Sequence, residues 1–471
     1  MDYSKLTLIE IKDGIASGKF SSEEVTKFFI DACHAKRELN AVIEVFDDAI
    51  NQAKAVDEKI KNKKQLGKLA GVPIAIKDNI LYKGKTTGCA SKFMQDFIAP
   101  YNATVVEKLL AEDAVIIGRT NMDEFAMGGS TEKSYYGPCH NAHSFDHVAG
   151  GSSGGSAVAV AAGLVACALG TDTGGSIRQP SSYNGTVGIK PTYGTVSRYG
   201  IVAFASSLDQ CSPIAKTIED CEYVLRIIAG KDEHDGTTIT NYMVREPKQK
   251  YTLGVCKEVI SKFKTMAGYA PFAKALEQIK SVFNIVEVSI PHISNSLAAY
   301  YIISPAEATS NLARFDGVKY TRRAESANDL ESVYVESRSE GFGKEVKRRI
   351  MLGNYVLSSG YFDAFYNKAK KVQKFIKKEF IAAFEKCDAI ILPTTTGTAF
   401  KIGEKMSDPV SMYLEDLFTV PANISGMPAL VVPYAKGDLN LPLGMQFMAN
   451  EKQEGNLFEI AKIFRQTLEV K

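Results

Sequence analysis

Tryptophan is absent from this sequence, histidine is scarce, and neither sign of charge is in excess. The 471 residues include 56 Lys and Arg against 54 Asp and Glu, and the formal net charge is +2. A dedicated nucleic-acid-binding protein would carry a broad positive surface. The balanced composition argues against such a surface. If RNA takes part in the reaction, we expect another molecule to bind most of it.

Paired cysteines, long apolar runs and a leader pattern are also missing. The eight cysteines include no C-x-x-C pair, which argues against a zinc site or a disulfide framework. The longest apolar run, residues 157–169, is too short to cross a bilayer and predicts a buried helix. Residues 1–25 contain two capping boxes instead of a basic and then apolar leader. We therefore expect a cytoplasmic protein with reduced cysteines and no metal site.

The order of the predicted elements is that of an α/β protein. A helical pattern covers residues 6–61, within an N-terminal segment 1–65, and a second helical region covers residues 298–384. The chain shows no repeat and no obvious linker, so one intertwined domain over 1–471 is the simplest interpretation. Apolar core strands are predicted at 71–78, 114–118, 253–255, 285–288, 389–393 and 429–433.

Two glycine-rich segments, Gly150–Ser156 and Gly170–Ser176, each place a serine beside glycines. Glycine lets the backbone approach a substrate closely and aim consecutive N–H groups at an anion. Amide hydrolysis needs such donors, together with an activated nucleophile and a base. One such segment alone would favour a tight turn at the end of a core helix. Two segments separated only by the predicted 157–169 helix favour a catalytic site.

Gly150, Ser152 and Gly154 also fit the nucleophile elbow of a Ser-His-Asp hydrolase. An elbow follows a core strand directly, whereas residues 141–149 are polar and loop-like. Only His234 and His292 follow Ser152, as that chain order requires, and both are predicted to be surface or loop residues. A histidine-dependent triad is therefore disfavoured.

Lys77 is the leading alternative base, because a neutral lysine can accept a proton. It ends an apolar strand, where desolvation favours the neutral amine. Lowering its pKa by about three units corresponds to roughly 4 kcal/mol. Judged by position alone, an ion pair with a carboxylate such as Asp78 is the better interpretation.

A partial phosphate-binding motif occurs at Gly84-Lys85-Thr86. The earlier glycine that a phosphate-binding loop requires is replaced by Asn79, so no phosphate cradle is supported. ATP binding by this chain is not expected.

The two serine segments and the residues around them resemble the signature of the amidase signature family. The match covers residues 150–155, the helix that follows and residues 170–178, and it continues through residues 188–194. The Ile-Lys-Asp context of Lys77 also matches. This resemblance implies a mixed central sheet covered by helices on both faces, with a signature core at 66–220.

The resemblance also assigns roles to individual residues. It implies a Ser-cisSer-Lys triad in which Ser176 is the nucleophile, Ser152 the proton bridge and Lys77 the base. Backbone N–H groups would hold the oxyanion, and the expected donors are Thr173, Gly174 and Gly175.

Outside the signature, the chain resembles the branch of this family that hydrolyses glutamine for tRNA-dependent amidotransferases. The similarity is carried by residues 121–128, 310–317, 345–350 and 412–417. Gly129 and Lys133 stand where Ser and Asn are expected, but they touch no predicted catalytic position. The resemblance implies that glutamine is the substrate and that the helical region 298–384 elaborates its pocket.

A glutamine pocket must provide a cationic partner for the α-carboxylate of the substrate and an anionic partner for its α-ammonium. By resemblance, Arg349 would hold the carboxylate through its planar fork and Asp416 the ammonium. Tyr300 would be a third contact, although Tyr301 is adjacent and the choice between them stays open. Without the resemblance, Arg349 and Asp416 are interpreted as solvated charges on helices.

The resemblance further implies a heterotrimer with the amidotransferase B and C subunits. The B subunit would contact the tRNA, use ATP and Mg²⁺, and receive the ammonia that converts Glu-tRNA(Gln), or Asp-tRNA(Asn), to the amidated product. This chain would need no cofactor and no membrane. A stand-alone amidase for small amides and a catalytically silent scaffold remain the alternative interpretations.

Overall fold

The computed structural model describes residues 1–406 and 408–469, and its helices pack around one central sheet. The strands are β1 (Val42–Val45), β2 (Pro73–Lys77), β3 (Val115–Thr120), β4 (Cys167–Asp172), β5 (Val187–Lys190), β6 (Gln210–Ala215), β7 (Thr252–Cys256), β8 (Asn284–Val288), β9 (Ala389–Pro393), β10 (Ala429–Lys436) and β11 (Pro442–Met448). The α-helices are α1 (Leu8–Ala16), α2 (Ser22–Ala35), α3 (Ala49–Lys61), α4 (Thr104–Ala111), α5 (Gly154–Ala161), α6 (Arg178–Asn184), α7 (Ile218–Ile228), α8 (Lys257–Phe263), α9 (Tyr269–Ile279), α10 (Ser296–Asn311), α11 (Leu330–Gly341), α12 (Lys344–Leu357), α13 (Lys368–Phe384), α14 (Pro409–Leu414), α15 (Val420–Ser425) and α16 (Glu454–Glu469). Short 3-10 segments lie at Tyr3–Lys5, Arg37–Leu39, Glu124–Ala126, Ile293–Asn295, Leu312–Arg314 and Asp438–Asn440, and a π-helix lies at Phe362–Asn367.

The sheet is mixed, with eleven strands in the described ranges and the order β1-β3-β2-β4-β6-β5-β10-β11-β9-β7-β8. Parallel pairing joins β3 to β2 to β4, and also β9 to β7 to β8, whereas the remaining pairs are antiparallel. Every residue of β2 to β6, β9 and β11 is buried, so helices cover both faces. The predicted α/β fold with a mixed sheet is confirmed.

One continuous apolar core includes residues from Tyr3 to Phe464, so the described chain folds as a single domain. The finer division at residues 65, 220, 298 and 384 stays a prediction. No helix within residues 1–406 and 408–469 has the length and apolar character needed to cross a membrane.

The prediction of a helical N-terminal segment over 1–65 is wrong in one place. Residues 42–45 form β1, which pairs antiparallel with β3 at the edge of the sheet. Val42, Ile43 and Val45 are β-branched, and such side chains favour extended backbone where a partner strand is available. The helical spacing of the flanking α2 and α3 concealed this short strand.

The prediction of one buried helix over residues 157–169 is also wrong. Helix α5 ends at Ala161, and β4 begins at Cys167. Both elements are almost entirely buried, so the sequence shows no periodicity that separates a helix from a strand. The strand matters for the site, because it makes the second serine segment follow a core strand directly.

Candidate active site

Lys77 and the second serine segment meet at one edge of the sheet. Strands β2 and β4 are parallel neighbours, and Ile76 is paired with Leu169. This register places Lys77, the last residue of β2, opposite Gly170, two residues before the end of β4. Because parallel strands end at the same edge, the loops that follow them lie side by side.

The Lys77 side chain is fully buried among hydroxyl groups. Its Nζ lies 2.8 Å from Ser152 Oγ, 2.8 Å from Ser153 Oγ and 2.9 Å from Thr171 Oγ1. Burial lowers the pKa of Lys77 to about 7, although nearby carboxylates act in the opposite direction. A substantial share of this amine is therefore neutral near pH 7.

The alternative ion pair between Lys77 and Asp78 is wrong. Asp78 Oδ1 instead lies 2.7 Å from Nη1 of Arg119 on β3. The same carboxylate accepts the backbone N–H groups of Gly88 and Ala90. These contacts leave Lys77 without a carboxylate partner at hydrogen-bonding distance within the described residues.

The oxygens around Lys77 suit a neutral amine, which has two N–H donors and one lone pair. Ser153 donates its hydroxyl hydrogen to the carbonyl of Thr171 at 3.0 Å, so Ser153 Oγ must accept from Lys77. Thr171 Oγ1 also accepts from the side chain of Asn79 at 3.1 Å and can accept the second N–H of Lys77. In the neutral amine the remaining lone pair can accept the hydroxyl hydrogen of Ser152, whereas the ammonium donates to all three oxygens.

Ser176 lies directly beside this group. Its carbonyl accepts the N–H of Ser153 at 3.0 Å, and 7% of the residue is exposed. In the part of the chain that the structure describes, its hydroxyl makes no hydrogen bond and can face a substrate. The Gly151–Ser152 peptide bond is cis. The structure thus brings the three predicted triad residues to one edge of the sheet.

Asp172 holds the loop that carries Ser176. Its carboxylate accepts the N–H groups of Gly175 at 2.9 Å and Ile177 at 3.2 Å, and it forms an ion pair with Arg178. Burial would raise the pKa of Asp172, but Arg178 lowers it to about 2, so this carboxylate stays charged. Since Gly175 donates to Asp172 here, Thr173 and Gly174 are the predicted oxyanion donors that the loop itself leaves unused.

Arg349 is buried on α12 and faces aromatic rings. Its guanidinium carbon lies 4.9 Å from the ring centre of Tyr301 and 5.3 Å from that of Tyr413. Its Nε donates to Glu345 Oε1 at 2.8 Å, whereas its Nη1 has no partner within the described ranges. The alternative of a solvated helix charge is therefore wrong for Arg349.

Asp416 is partly exposed and follows α14. Its Oδ2 accepts the hydroxyl of Tyr301 at 2.6 Å, so one tyrosine connects the two charged residues. Burial raises the pKa of Asp416 to about 7, even though Tyr301 and Arg349 lower it. The structure therefore places Arg349 and Asp416 on either side of Tyr301.

The adjacent tyrosines of α10 have different neighbours. Tyr300 packs on the serine loop, since a Cβ at Gly174 would lie 2.6 Å from its ring. Tyr301 contacts Arg349 and Asp416 instead. Sequence reasoning named Tyr300 and left the choice between it and Tyr301 open, because neighbouring residues of a helix point about 100° apart and only the packing shows the contacts of each.

Gly129 and Lys133 both border this pocket, although neither touches a triad residue. Lys133 Nζ lies 3.4 Å from Glu345 Oε2, the carboxylate that also holds Arg349. A Cβ at Gly129 would lie 3.8 Å from Asp416 Oδ1. The two departures from the expected pattern therefore fall beside the charged residues of the pocket.

The two histidines that follow Ser152 are exposed, as predicted. His234 stacks on Tyr199, and His292 contacts Glu379. Neither contacts Lys77, Ser152 or Ser176, so this geometry does not support a histidine-dependent triad.

The fold, the sequence profile and this arrangement of residues together define a class of protein. The profile of the amidase family matches residues 24–458, and the chain belongs to that family. Among its relatives, the A subunit of glutamyl-tRNA(Gln) amidotransferase from Caldanaerobacter subterraneus subsp. tengcongensis is 47% identical, over 98% of this chain and 96% of the relative. The protein of the same name from Pseudomonas aeruginosa (strain LESB58) is 46% identical, over 98% of this chain and 97% of the relative.

Solved structures give the same picture. The A subunit of glutamyl-tRNA(Gln) amidotransferase from Thermotoga maritima has a TM-score of 0.79 and 38% identity, covering 99% of this chain and 94% of the other. The peptide amidase from Stenotrophomonas maltophilia has a TM-score of 0.84 and 27% identity, covering 99% and 98%. The fold is therefore common to an amidotransferase subunit and a peptide amidase.

Proposed function

We propose that this chain hydrolyses the side-chain amide of glutamine and is the glutaminase subunit of a tRNA-dependent amidotransferase. The observation that carries the proposal is the pair of opposite charges around Tyr301, which consists of buried Arg349, whose Nη1 has no partner among the described residues, and Asp416. An α-amino acid has the matching carboxylate and ammonium. The names of the full-length relatives support the same assignment.

The proposed reaction begins with proton transfer along the hydroxyl relay. Neutral Lys77 accepts the hydroxyl proton of Ser152, and Ser152 accepts the hydroxyl proton of Ser176. At the same time, Ser176 Oγ attacks the amide carbon of glutamine. The N–H groups of Thr173 and Gly174 stabilise the oxyanion. The reversed relay protonates the leaving amine, ammonia departs, and water cleaves the glutamyl ester to restore Ser176.

Ammonia released into water near neutral pH would mostly become ammonium, which is not a nucleophile. The proposal therefore includes a tight partner that receives ammonia by a protected route. We assign this role to the B subunit, which would bind the misacylated tRNA and use ATP and Mg²⁺, and we expect the C subunit to stabilise the pair. This chain would need no cofactor of its own and would act in the cytoplasm, where translation takes place.

The test compares glutamine hydrolysis and tRNA amidation by the chain alone and with its B and C partners. We expect Ser176-dependent glutaminase activity, with Gln-tRNA(Gln) formed only when the partners, ATP and Glu-tRNA(Gln) are present. Broad turnover of small amides without preference for glutamine would favour a stand-alone amidase. Glutamine-dependent amidation that survives Ser176→Ala would favour a silent scaffold.

A further inference from the structure

Gln179 is a buried side chain that the proposed mechanism does not use. It lies in the first turn of α6, on the same segment as Ser176, and it is fully buried. Its Oε1 accepts the N–H of Gly151 at 2.8 Å. Its Nε2 has no hydrogen-bond partner within the residues that the structure describes. A buried amide nitrogen without an acceptor is unfavourable, so an acceptor from a ligand is expected there.

Gly129 shows what lies beside this nitrogen. A Cβ at Gly129 would lie 3.6 Å from Gln179 Nε2, 3.8 Å from Asp416 Oδ1 and 3.9 Å from Met412 Sδ, with no nearer contact. These are ordinary van der Waals separations, so a methyl group at this point would touch all three atoms without a clash. The Gln179 nitrogen, which has no hydrogen-bond partner among the described residues, and the Asp416 carboxylate therefore border the same point beside Gly129.

Three polar atoms of this region complement a zwitterion. Among the described residues, Arg349 Nη1 and Gln179 Nε2 are donors without a partner, and Asp416 Oδ1 is an acceptor without one. An amide N–H disfavours a nearby ammonium and favours an anionic oxygen. The α-carboxylate is therefore the part of an amino acid that suits Gln179.

We propose that Gln179 is a further substrate-binding residue, whose Nε2 donates to the α-carboxylate of bound glutamine. This inference rests on the proposed function. Because Oε1 of the same side chain holds Gly151, which precedes Ser152, Gln179 connects the filled pocket to the catalytic relay.

The deciding variant is Gln179→Glu, which retains an oxygen for Gly151 and replaces the donor with an anionic oxygen. Kinetics with glutamine are compared with inhibition by 4-aminobutanamide, which is glutamine without its carboxylate. We expect KM for glutamine to rise about tenfold or more, since a charge-assisted hydrogen bond is lost. The inhibition constant of 4-aminobutanamide should not rise. The proposal is overturned if both constants rise together or if neither changes.

Two controls keep the result decisive. Gln466→Glu makes the same charge change at an exposed position of α16 and should leave both constants unchanged. If Gln179→Glu does not fold, Gln179→Met removes the donor without adding charge. Because it also removes the oxygen that holds Gly151, the deciding result is then a rise in KM for glutamine without a rise in the inhibition constant of 4-aminobutanamide. Failure of the unmodified chain to hydrolyse glutamine even with its B and C partners would refute the proposed function, whereas normal hydrolysis with an insensitive Gln179 refutes only this inference.

Discussion

The hydrolytic centre and the substrate pocket are built from different parts of the fold. Lys77 ends a core strand, and the two serine loops adjoin β4, so the reacting groups are fixed by the sheet. Arg349 and Asp416 lie on or beside helices outside the sheet, where aromatic rings hold them. We infer that residues at the sheet edge carry out amide hydrolysis and that residues of the helical region determine which substrate binds. Substitutions at the sheet edge should therefore change mainly kcat, and substitutions in the helical region mainly KM.

The largest expected effect is on the hydrolytic side. Ser176→Ala should lower kcat for glutamine by about 10⁴-fold or more, because the residue that forms the covalent bond is lost. Binding of glutamine, measured by calorimetry, should change little if the pocket is independent. Ser181→Ala is the matched control, since it removes from α6, the helix after the Ser176 loop, a buried hydroxyl that has no partner among the described residues. If glutamine affinity fell by as large a factor as kcat, the claim that different residues carry catalysis and substrate binding would be wrong.

Replacing the base should come next. Lys77→Met should lower kcat by about 10³-fold, within the range for removal of a general base. Lys77→Arg should not restore the rate, because a guanidinium stays charged and cannot accept the proton of Ser152. Steady-state kinetics with glutamine check both variants. Substantial activity in Lys77→Arg would contradict the assignment of a neutral amine.

On the pocket side, Asp416→Asn should lower kcat/KM for glutamine by about 100-fold, mainly through KM. The reason is that the substrate ammonium loses its anionic partner. Hydrolysis of 4-carbamoylbutanoate, which is glutamine without its amino group, should be insensitive to the change. Equal losses for both substrates would show that Asp416 supports the catalytic loop rather than the ammonium.

The pH dependence should distinguish the two regions. Below pH about 7, Lys77 becomes charged and cannot accept a proton, so kcat should fall about tenfold per pH unit. The parameter kcat/KM should fall more steeply, because Asp416, with its pKa raised to about 7, also becomes neutral and loses the substrate ammonium. In Asp416→Asn, kcat/KM should fall with decreasing pH no more steeply than kcat does, and the pH dependence of kcat should be unchanged. An unchanged slope of kcat/KM in that variant would contradict this explanation.

The smallest effect is expected for Tyr301→Phe. The change removes one hydrogen bond to Asp416, worth about 1 kcal/mol, and should raise KM for glutamine about fivefold. Since the Tyr301 hydroxyl lowers the pKa of Asp416, the acid limb of kcat/KM should also move to higher pH. Tyr334→Phe, at an exposed position of α11, serves as the control. If the decrease of kcat/KM at acid pH moved to lower pH in Tyr301→Phe, the predicted direction of the shift would be wrong.

The sequence is informative about the hydrolytic centre because its residues follow a short and specific pattern. The glycine-rich segments and the Ile-Lys-Asp context place Lys77, Ser152 and Ser176 in a family arrangement, and β2 ends at Lys77 as predicted. A strand end and its loop are local features. Their position at a common sheet edge then follows from the parallel pairing of β2 and β4.

Features that depend on packing were harder to predict. Residues 157–169 are apolar throughout, so periodicity did not separate α5 from β4, and β1 is only four residues long. The contacts of Tyr301 and the unpaired nitrogen of Gln179 depend on elements distant in sequence. The hydrogen bond from the Gly175 N–H to the Asp172 carboxylate likewise depends on the conformation of the loop after β4.

The central claim is that Ser176 carries the acyl group, with Lys77 acting through Ser152. The most direct measurement is rapid acid quenching during glutamine turnover, followed by proteolysis and mass analysis of the labelled peptide. The predicted result is a glutamyl ester on Ser176, absent from Ser176→Ala and from protein quenched before substrate is added. A glutamine-derived acyl group on Ser152 or on any other residue would contradict the account.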